Sequence, residues 1–552
     1  MPPCPPSSAA IDTSYDATVP VPGVNEKPLT KTKTLKSSIL PSNTFAWELN
    51  VISLVVLLVV YYVLLPESLY SYFHSFLGLV TLDACRYYYF RGSTPGVPYS
   101  LPFVSLVAMI IRPVRFWDEQ AKIAIEGGQG ISTNTLLGKC MVFITDSKIC
   151  RDVMTREGTF QVYAHPNAKW LFGPGNLIYM PTELHKSFRA ILTPALFSNE
   201  ALTTYAEVQE KICRKQLNRI AKKCIDTNAA VDVRHEFRLL AAAASQESFL
   251  GPYLTDDLRL KLEQDILKFT QGFLCFPFPY LGTGLARAVQ AKQRLLENII
   301  VFVPIARDYV KAGNEPRCLL ERWSVAILAA AKEKGVGEQD VPGCSDLDIA
   351  MTVMDFLFAA QDATNSALTA ATDVLATRPD VVDKIAQEVH DSCSTGRPLF
   401  SMIRDSEQLT FTTKAAKQLL HHKPPVPMIP HLALHDTTLA GRPISKGTLL
   451  FPSMMNAAKT SGSSDEFNPY LEPLPDPQFV RTPLFGGGQH KCPGRRYAES
   501  FLTLFLTILT TEYDFERVGP RPGPDDIMYF PTVFPSSNDF WIRKGGVGAV
   551  GK

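Results

Sequence analysis

The chain has 552 residues, with 55 lysines and arginines against 54 aspartates and glutamates. So even a balance gives no electrostatic reason to expect a nucleic acid or another polyanion as partner. Its 11 cysteines show no paired spacing, which argues for reduced thiols on the cytosolic side and against a disulfide framework.

Residues 1–43 are rich in Pro, Ser, Thr and Lys, lack hydrophobic periodicity and are expected to be disordered. Residues 44–66 follow as an expected membrane anchor. Val51 to Leu65 carries no charge, and with its aromatic flanks the run from Phe45 approaches the ~20 residues that cross a bilayer. A cleaved signal peptide fits poorly, because the run starts far from the N-terminus and no small-residue cleavage site follows. A buried core helix is the other reading of such a run. Lys27, Lys31, Lys33 and Lys36 precede it and Arg86 and Arg91 follow it, so charge leaves its orientation open. Residues 67–103 form a membrane-proximal region, closed by Thr94-Pro-Gly-Val-Pro-Tyr-Ser-Leu-Pro102, a stiff non-helical connector. From 104 to 552 the pattern is mainly α with short strands, long enough for one large domain with a substantial core.

His185 and Arg189 are four residues apart and share one helix face, as anchoring a carboxylate requires; a solvated face has the same spacing. The Phe-rich stretch Phe273-Leu-Cys-Phe-Pro-Phe278 is a candidate pocket wall, although aromatic stripes are more often core. The longest predicted helix takes Ser345 as N-cap and runs to Arg378, before Pro379. Between Ile349 and Ala371 it is apolar on nearly every face and should be buried along most of its length. Asp355 and Asp362 are its only charges there. A buried carboxylate is costly unless paired, so Asp362 is either a helix-interior polar contact or a proton donor.

The most informative segment is Phe485-Gly-Gly-Gly-Gln-His-Lys-Cys-Pro-Gly494, followed by an apolar helical stretch from Arg496 to Thr511. A helix start offers free N–H groups and a positive dipole end, which lower the pKa of a nearby thiol. Gly486, Gly487, Gly488 and Gly494 permit backbone angles closed to other residues and let a flat ligand approach the main chain. With Phe485 as an apolar lid, Cys492 suits the axial position of a haem iron. Other readings are a small core cysteine, a phosphate cradle without its GxGxxG or GKS/T context, and zinc. Zinc would pair Cys492 with His490 but lacks a second Cys/His pair.

Phe485, Gly488, Cys492 and Gly494 resemble the haem-binding loop of the cytochrome P450 monooxygenases. The resemblance implies a cytochrome P450 fold with an N-terminal membrane anchor. It implies haem b as cofactor, Cys492 as its iron ligand, and His490 at a haem propionate. His185 and Arg189 occupy the family's WxxxR-like place, with His for Trp, and are implied to contact the propionates. Ala359-Ala-Gln-Asp-Ala-Thr364 resembles the oxygen-activation segment, which gives Asp362 the proton-relay role. Ala363 replaces the first threonine and Thr364 fills the second, so Thr364 or an ordered water must donate the hydrogen bond.

Phe356 to Thr364, His165 to Gly173, Asn176 to Met180, Ser245 to Tyr253 and Phe530 to Pro535 are similar to the sterol C-22 desaturase branch of that family. The implied reaction is oxidative desaturation of a sterol side chain with O2. Its electrons come from NADPH through a separate cytochrome P450 reductase, since this chain has no evident Rossmann or flavin segment. The implied location is the endoplasmic reticulum membrane, single-pass, with the catalytic domain cytosolic. Hydroxylation of another lipid or secondary metabolite is one alternative. A degenerate membrane-anchored sterol-binding relative is the other. The family's buried Glu–Arg pair falls here on Gln418 and His421, and Leu471 stands where a third member of that network is usual. Losing all three leaves no orphaned buried charge.

Overall fold

The computed structural model describes residues 70–545, except 102–103, 137, 164–166, 174–175, 276–279, 281, 394–397, 404–407, 461–465, 471–482, 524–526 and 530–531, together with positions 52, 55, 56 and 59. The expected disordered segment and all but those four positions of the expected anchor lie outside the described residues. So do Leu471 and part of the Phe-rich stretch. Among the described residues no helix is long and apolar enough to cross a membrane.

Helix α1 (Tyr70–Arg91) leads into the proline-rich connector, which is non-helical as far as Leu101. The connector is pinned to the first strand, where Thr133 N–H donates to Pro95 O (2.9 Å) and Val97 N–H to Thr133 O (3.1 Å). Gly96 permits that approach, since a Cβ there would lie 2.1 Å from Thr133 Oγ1. Strands β1 (Ile131–Leu136), β2 (Lys139–Ile144), β3 (Phe160–Val162), β4 (His431–Ala433) and β5 (Leu449–Pro452) form one sheet in the order β1-β2-β5-β4-β3. Only the β2–β5 pair is parallel. Trp117 covers this sheet, its ring 5.6 Å from Phe143 and 5.2 Å from Phe451. A smaller sheet joins residues 231–232, 513–517 and 539–544.

The remainder is helical. The helices that position the site are α2 (Ser147–Thr155), α3 (Thr182–Leu196), α4 (Val233–Phe249), α5 (Asp256–Gln271), α6 (Gly284–Ile300), α7 (Asp346–Leu375), α8 (Thr410–His422) and α9 (Arg495–Glu512). Helix α7 passes through two apolar cores. Val353, Met354, Phe356 and Leu357 pack with α3, α5 and α6, while Leu368, Ala371, Val374 and Leu375 pack with α8 and α9. It starts where the sequence predicts, with Ser345 and Asp348 closing a reciprocal capping box. It ends three residues earlier than predicted, at Leu375. The residue before a proline is driven out of the helical region, and Arg378 turns away into contacts of its own.

Burial of α7 is extensive, as expected, but not complete. Met351, Asp355, Ala359, Ala363 and Ala367 stay at least partly open. Their four-residue spacing makes them one slanted ridge of the helix. Phe356 connects α7 to the C-terminal helix through Phe249 (6.3 Å), which lies 5.6 Å from Tyr497.

Ser345→Ala removes one half of the capping box and is expected to cost about 1 kcal/mol. A urea titration should show a lower midpoint with an unchanged slope.

Candidate functional site

The loop between Pro483 and Gly494 is closed by its own backbone. Gly486 N–H donates to Pro483 O and Cys492 N–H to Phe485 O, both at 2.8 Å. It is also pressed against the end of α2. Gly488 has φ +58, and a Cβ there would sit 2.7 Å from the Met154 carbonyl oxygen. Gln489 N–H donates to Glu157 Oε1 at 3.0 Å. Gly486 likewise has a positive φ of +75. The expectation of glycine-only backbone angles fails at the other two positions, where φ is −144 at Gly487 and −84 at Gly494. Beside Gly494 an added Cβ would meet nothing within 4 Å, so what that glycine leaves is open space.

Cys492 is accessible to a water-sized molecule yet recessed deep in the protein. Its thiol is pushed up, not down: burial outweighs the Gly494 N–H and the charges of Arg189 and Arg495. This corrects the expectation of a depressed pKa at a helix start. Helix α9 begins at Arg495, three residues beyond the sulfur, and a helix-end field fades within a turn. A coordinated metal deprotonates such a thiol outright, so the raised pKa belongs to the thiol alone.

Three residues singled out from the sequence converge beside the loop. His185 and Arg189 lie one turn apart on α3. The His185 ring is 4.5 Å from that of His490, and Arg189 Nη2 donates to Lys491 O at 3.1 Å. A fourth, His431 at the start of β4, went unnoticed in the sequence, where only its position after a proline-rich turn marks it. It shares with His490, Met154, Ile178 and Gly487 the lining of a cavity beside the loop. Burial foremost, then the neighbouring His490 and Arg189, lowers the pKa of His185 to about 4. Burial depresses that of His490 as well, against the opposing charge of Glu157. Burial likewise takes His431 to about 4. One ring nitrogen of the buried His185 has no hydrogen-bond partner in the protein. That vacant bonding position and Arg189 suit a ligand that carries carboxylates.

Asp362 is buried on α7, and Arg238 Nη1 of α4 lies 3.2 Å from its Oδ1. Burial raises the Asp362 pKa, and the charges of Arg238 and Arg234 oppose that rise only in part. Nε and Nη2 of Arg238 are buried without a protein partner. No sequence pattern announced Arg238; an arginine inside an apolar helix between Phe237 and Leu240 was the available signal. Thr364 is buried and stands off the open ridge that carries Ala359 and Ala363. The structure therefore places alanines on the exposed ridge, with Asp362 and Thr364 turned to either side of it.

A different arginine ties the segment around Phe467. Arg378 donates through its Nη1 to the Phe467 carbonyl and is held by two bonds to Asp380, at 2.8 and 2.7 Å. Tyr470 hydroxyl donates to the Asp380 carbonyl at 2.9 Å. His421 is held neutral, its pKa lowered to about 4 by burial and then by Arg495. Arg495 lies 5.5 Å over the Phe485 ring and pairs with Glu499 at 2.8 Å.

Among the described residues no three His, Cys, Asp or Glu side chains gather as metal ligands. That leaves too few side chains for a closed tetrahedral zinc site, whereas haem iron takes a single thiolate from the protein. The glycine approach, the open space at Gly494 and the His185–Arg189 rim fit a flat group with carboxylates.

Comparison with known proteins agrees. The family model described as Cytochrome P450 matches residues 95–531. Cytochrome P450 710A4 of Arabidopsis thaliana is 31% identical over 85% of this chain and 95% of its own. C-22 sterol desaturase erg5 of Aspergillus fumigatus is 28% identical over 83% of this chain and 91% of its own. The solved structure of cyanobacterial CYP120A1 with retinoic acid bound superposes with a TM-score of 0.67 at 20% identity. It covers 82% of this chain and 99% of that one.

Arg378→Ala should release residues 466–470, seen as new protease cleavage there and a lower melting temperature, and Arg378→Lys should rescue only partly because it lacks the fork. His421 titrates near 6.5 when unfolded and about 4 when folded. The unfolded chain therefore takes the proton first, so its stabilising contribution is full above about 6.5 and is lost as pH falls toward 4. His421→Gln should flatten the fall in melting temperature over that window.

Proposed function

This chain belongs to the cytochrome P450 family, and we propose that it desaturates the side chain of a sterol at C-22, using haem b bound through Cys492. Members of the family take electrons from a redox partner and act on lipophilic substrates. The observation that carries the finer reading is the similarity to a C-22 sterol desaturase along 83% of the chain. Thiolate-ligated haem, when bound, supplies activation of dioxygen and removal of hydrogen from unactivated carbon.

The protein's residues supply the rest. Phe485, Gly488 and Gly494 would shape the loop to receive haem, and Cys492 would supply its thiolate. His185, Arg189, His490 and His431 would hold its propionates, the histidines by hydrogen bonds and Arg189 also by charge. Asp362, whose pKa burial raises, is the acid that would hand on a proton, and Arg238 holds its carboxyl in place. Thr364, or a water beside Ala363, would carry the proton onward from Asp362. Ala359 and Ala363 are small enough to leave room for it and for substrate. Phe172, Phe269, Phe273 and Phe358, with ring centroids 5.3–5.7 Å apart, form an apolar wall. In the overall balance, two hydrogens leave the side chain and two electrons and two protons enter. O2 leaves as two waters. The electrons come from NADPH through a separate reductase. Residues 44–66 anchor the chain in the endoplasmic reticulum membrane with the catalytic domain cytosolic.

The test is turnover of a sterol with reductase and NADPH, preceded by the carbon monoxide difference spectrum of the reduced protein. A product two hydrogens lighter, with its double bond at C-22, is expected. A product one oxygen heavier identifies a hydroxylase instead. Absence of the shifted thiolate–haem band, with Gln418 and His421 in place of the usual ion pair, identifies a non-catalytic relative. Cys492→Ala should abolish that band.

A further inference from the structure

One turn before Ala359 on the same ridge of α7 stands Asp355, a carboxylate that the proposed chemistry does not use. It lies about 6 Å along the helix from Ala359 and about 10 Å from Asp362, so it is outside the proton route. Asn176 Nδ2 donates to its Oδ2, and Asn176 is itself fixed because its Oδ1 accepts from Ile178 N–H at 2.8 Å. Lys292 of α6 is close enough to act on Asp355 electrostatically, but its Nζ donates to Phe172 O at 3.1 Å. No ion pair among the described residues reaches Asp355. Its Oδ1 is enclosed and has no hydrogen-bond partner in the protein. Around it stand the apolar first core and Phe358, three residues along the helix.

A buried acceptor without a partner is costly. An apolar residue at this position would avoid that cost, so the carboxyl needs a reason to be here. Burial pushes it well above the usual carboxylate range, only partly offset by Lys292 and Asn176. Its unfilled Oδ1 can accept a hydrogen bond from a neutral donor. A hydroxyl donates such a bond and brings no charge into the apolar space.

We propose that Asp355, positioned by Asn176 and flanked by Lys292, is the recognition site for the hydroxyl group of a lipophilic substrate. It would set which end of that substrate lies away from Cys492. This rests on the reading that the ridge with Ala359 borders the substrate space. For a sterol, the group recognised is the ring hydroxyl, at the opposite end from the side chain that reacts.

The test is optical titration of the haem-loaded protein with a 3-hydroxysterol and its 3-deoxy counterpart, reading the substrate-induced shift of the Soret band. The wild type should bind the hydroxysterol about tenfold more tightly, the size expected of one buried hydrogen bond. Asp355→Leu should lose that preference while keeping its affinity for the deoxysterol. Asp355→Asn, which still donates and accepts, should retain most of it. If the leucine variant does not hold haem, Asn176→Ala decides, with a several-fold loss for the hydroxysterol alone. Equal affinity of the wild type for both sterols, or undiminished preference in Asp355→Leu, overturns the hydroxyl site and leaves the desaturase reading standing. No shift with any sterol overturns both.

Discussion

A 30-residue helix enclosed by two cores constrains everything around it. Most of its buried positions are apolar or find a polar partner within reach, and Gln361 and Asp355 keep side-chain atoms without one. Every carboxylate on it must be paired or carry a proton. Asp362 meets this condition with Arg238 from a neighbouring helix, Asp355 with Asn176 from a loop. In both, burial is the leading cause of a raised pKa, so the packing that stabilises the fold also prepares these groups to hold protons. The slanted ridge of alanines is what the packing leaves free. Small side chains there create space, and the bulk of the helix fixes where that space lies.

The cysteine loop is held by a different set of forces. It is closed by backbone hydrogen bonds, and Gly488 fits against the Met154 carbonyl where no side chain has room. Gln418 and His421 stand where the family places an ion pair behind this loop. Arg378 ties the segment around Phe467, while Arg495 covers Phe485 beside a neutral His421. A neutral His421 there puts no uncompensated charge behind the loop.

Much of this was readable from residue order. The capping residues Ser345 and Asp348, the proline that ends the helix and the glycine-cysteine pattern act over a few positions of chain, and local rules describe them well. The helix after the loop was expected at 496–511 and runs from Arg495 to Glu512. Local rules misjudged Gly487 and Gly494, whose angles are ordinary, and the Cys492 thiol, whose pKa depends on depth. Arg238, His431 and Arg378 were invisible because their partners Asp362, His490 and Phe467 lie 124, 59 and 89 residues away along the chain.

The chain's own sequence thus determined the class of cofactor site and the location of its cysteine, since spacing and backbone freedom are properties of adjacent residues. It also determined that a long apolar helix with two acids would cross the core. Only the tertiary structure decided which face of that helix stays open. It paired Asp362 with an arginine, left Asp355 with one unfilled acceptor, and raised the thiol where a helix end alone would have lowered it. Burial and long-range pairing depend on what packs against a residue in three dimensions, and no local pattern encodes that.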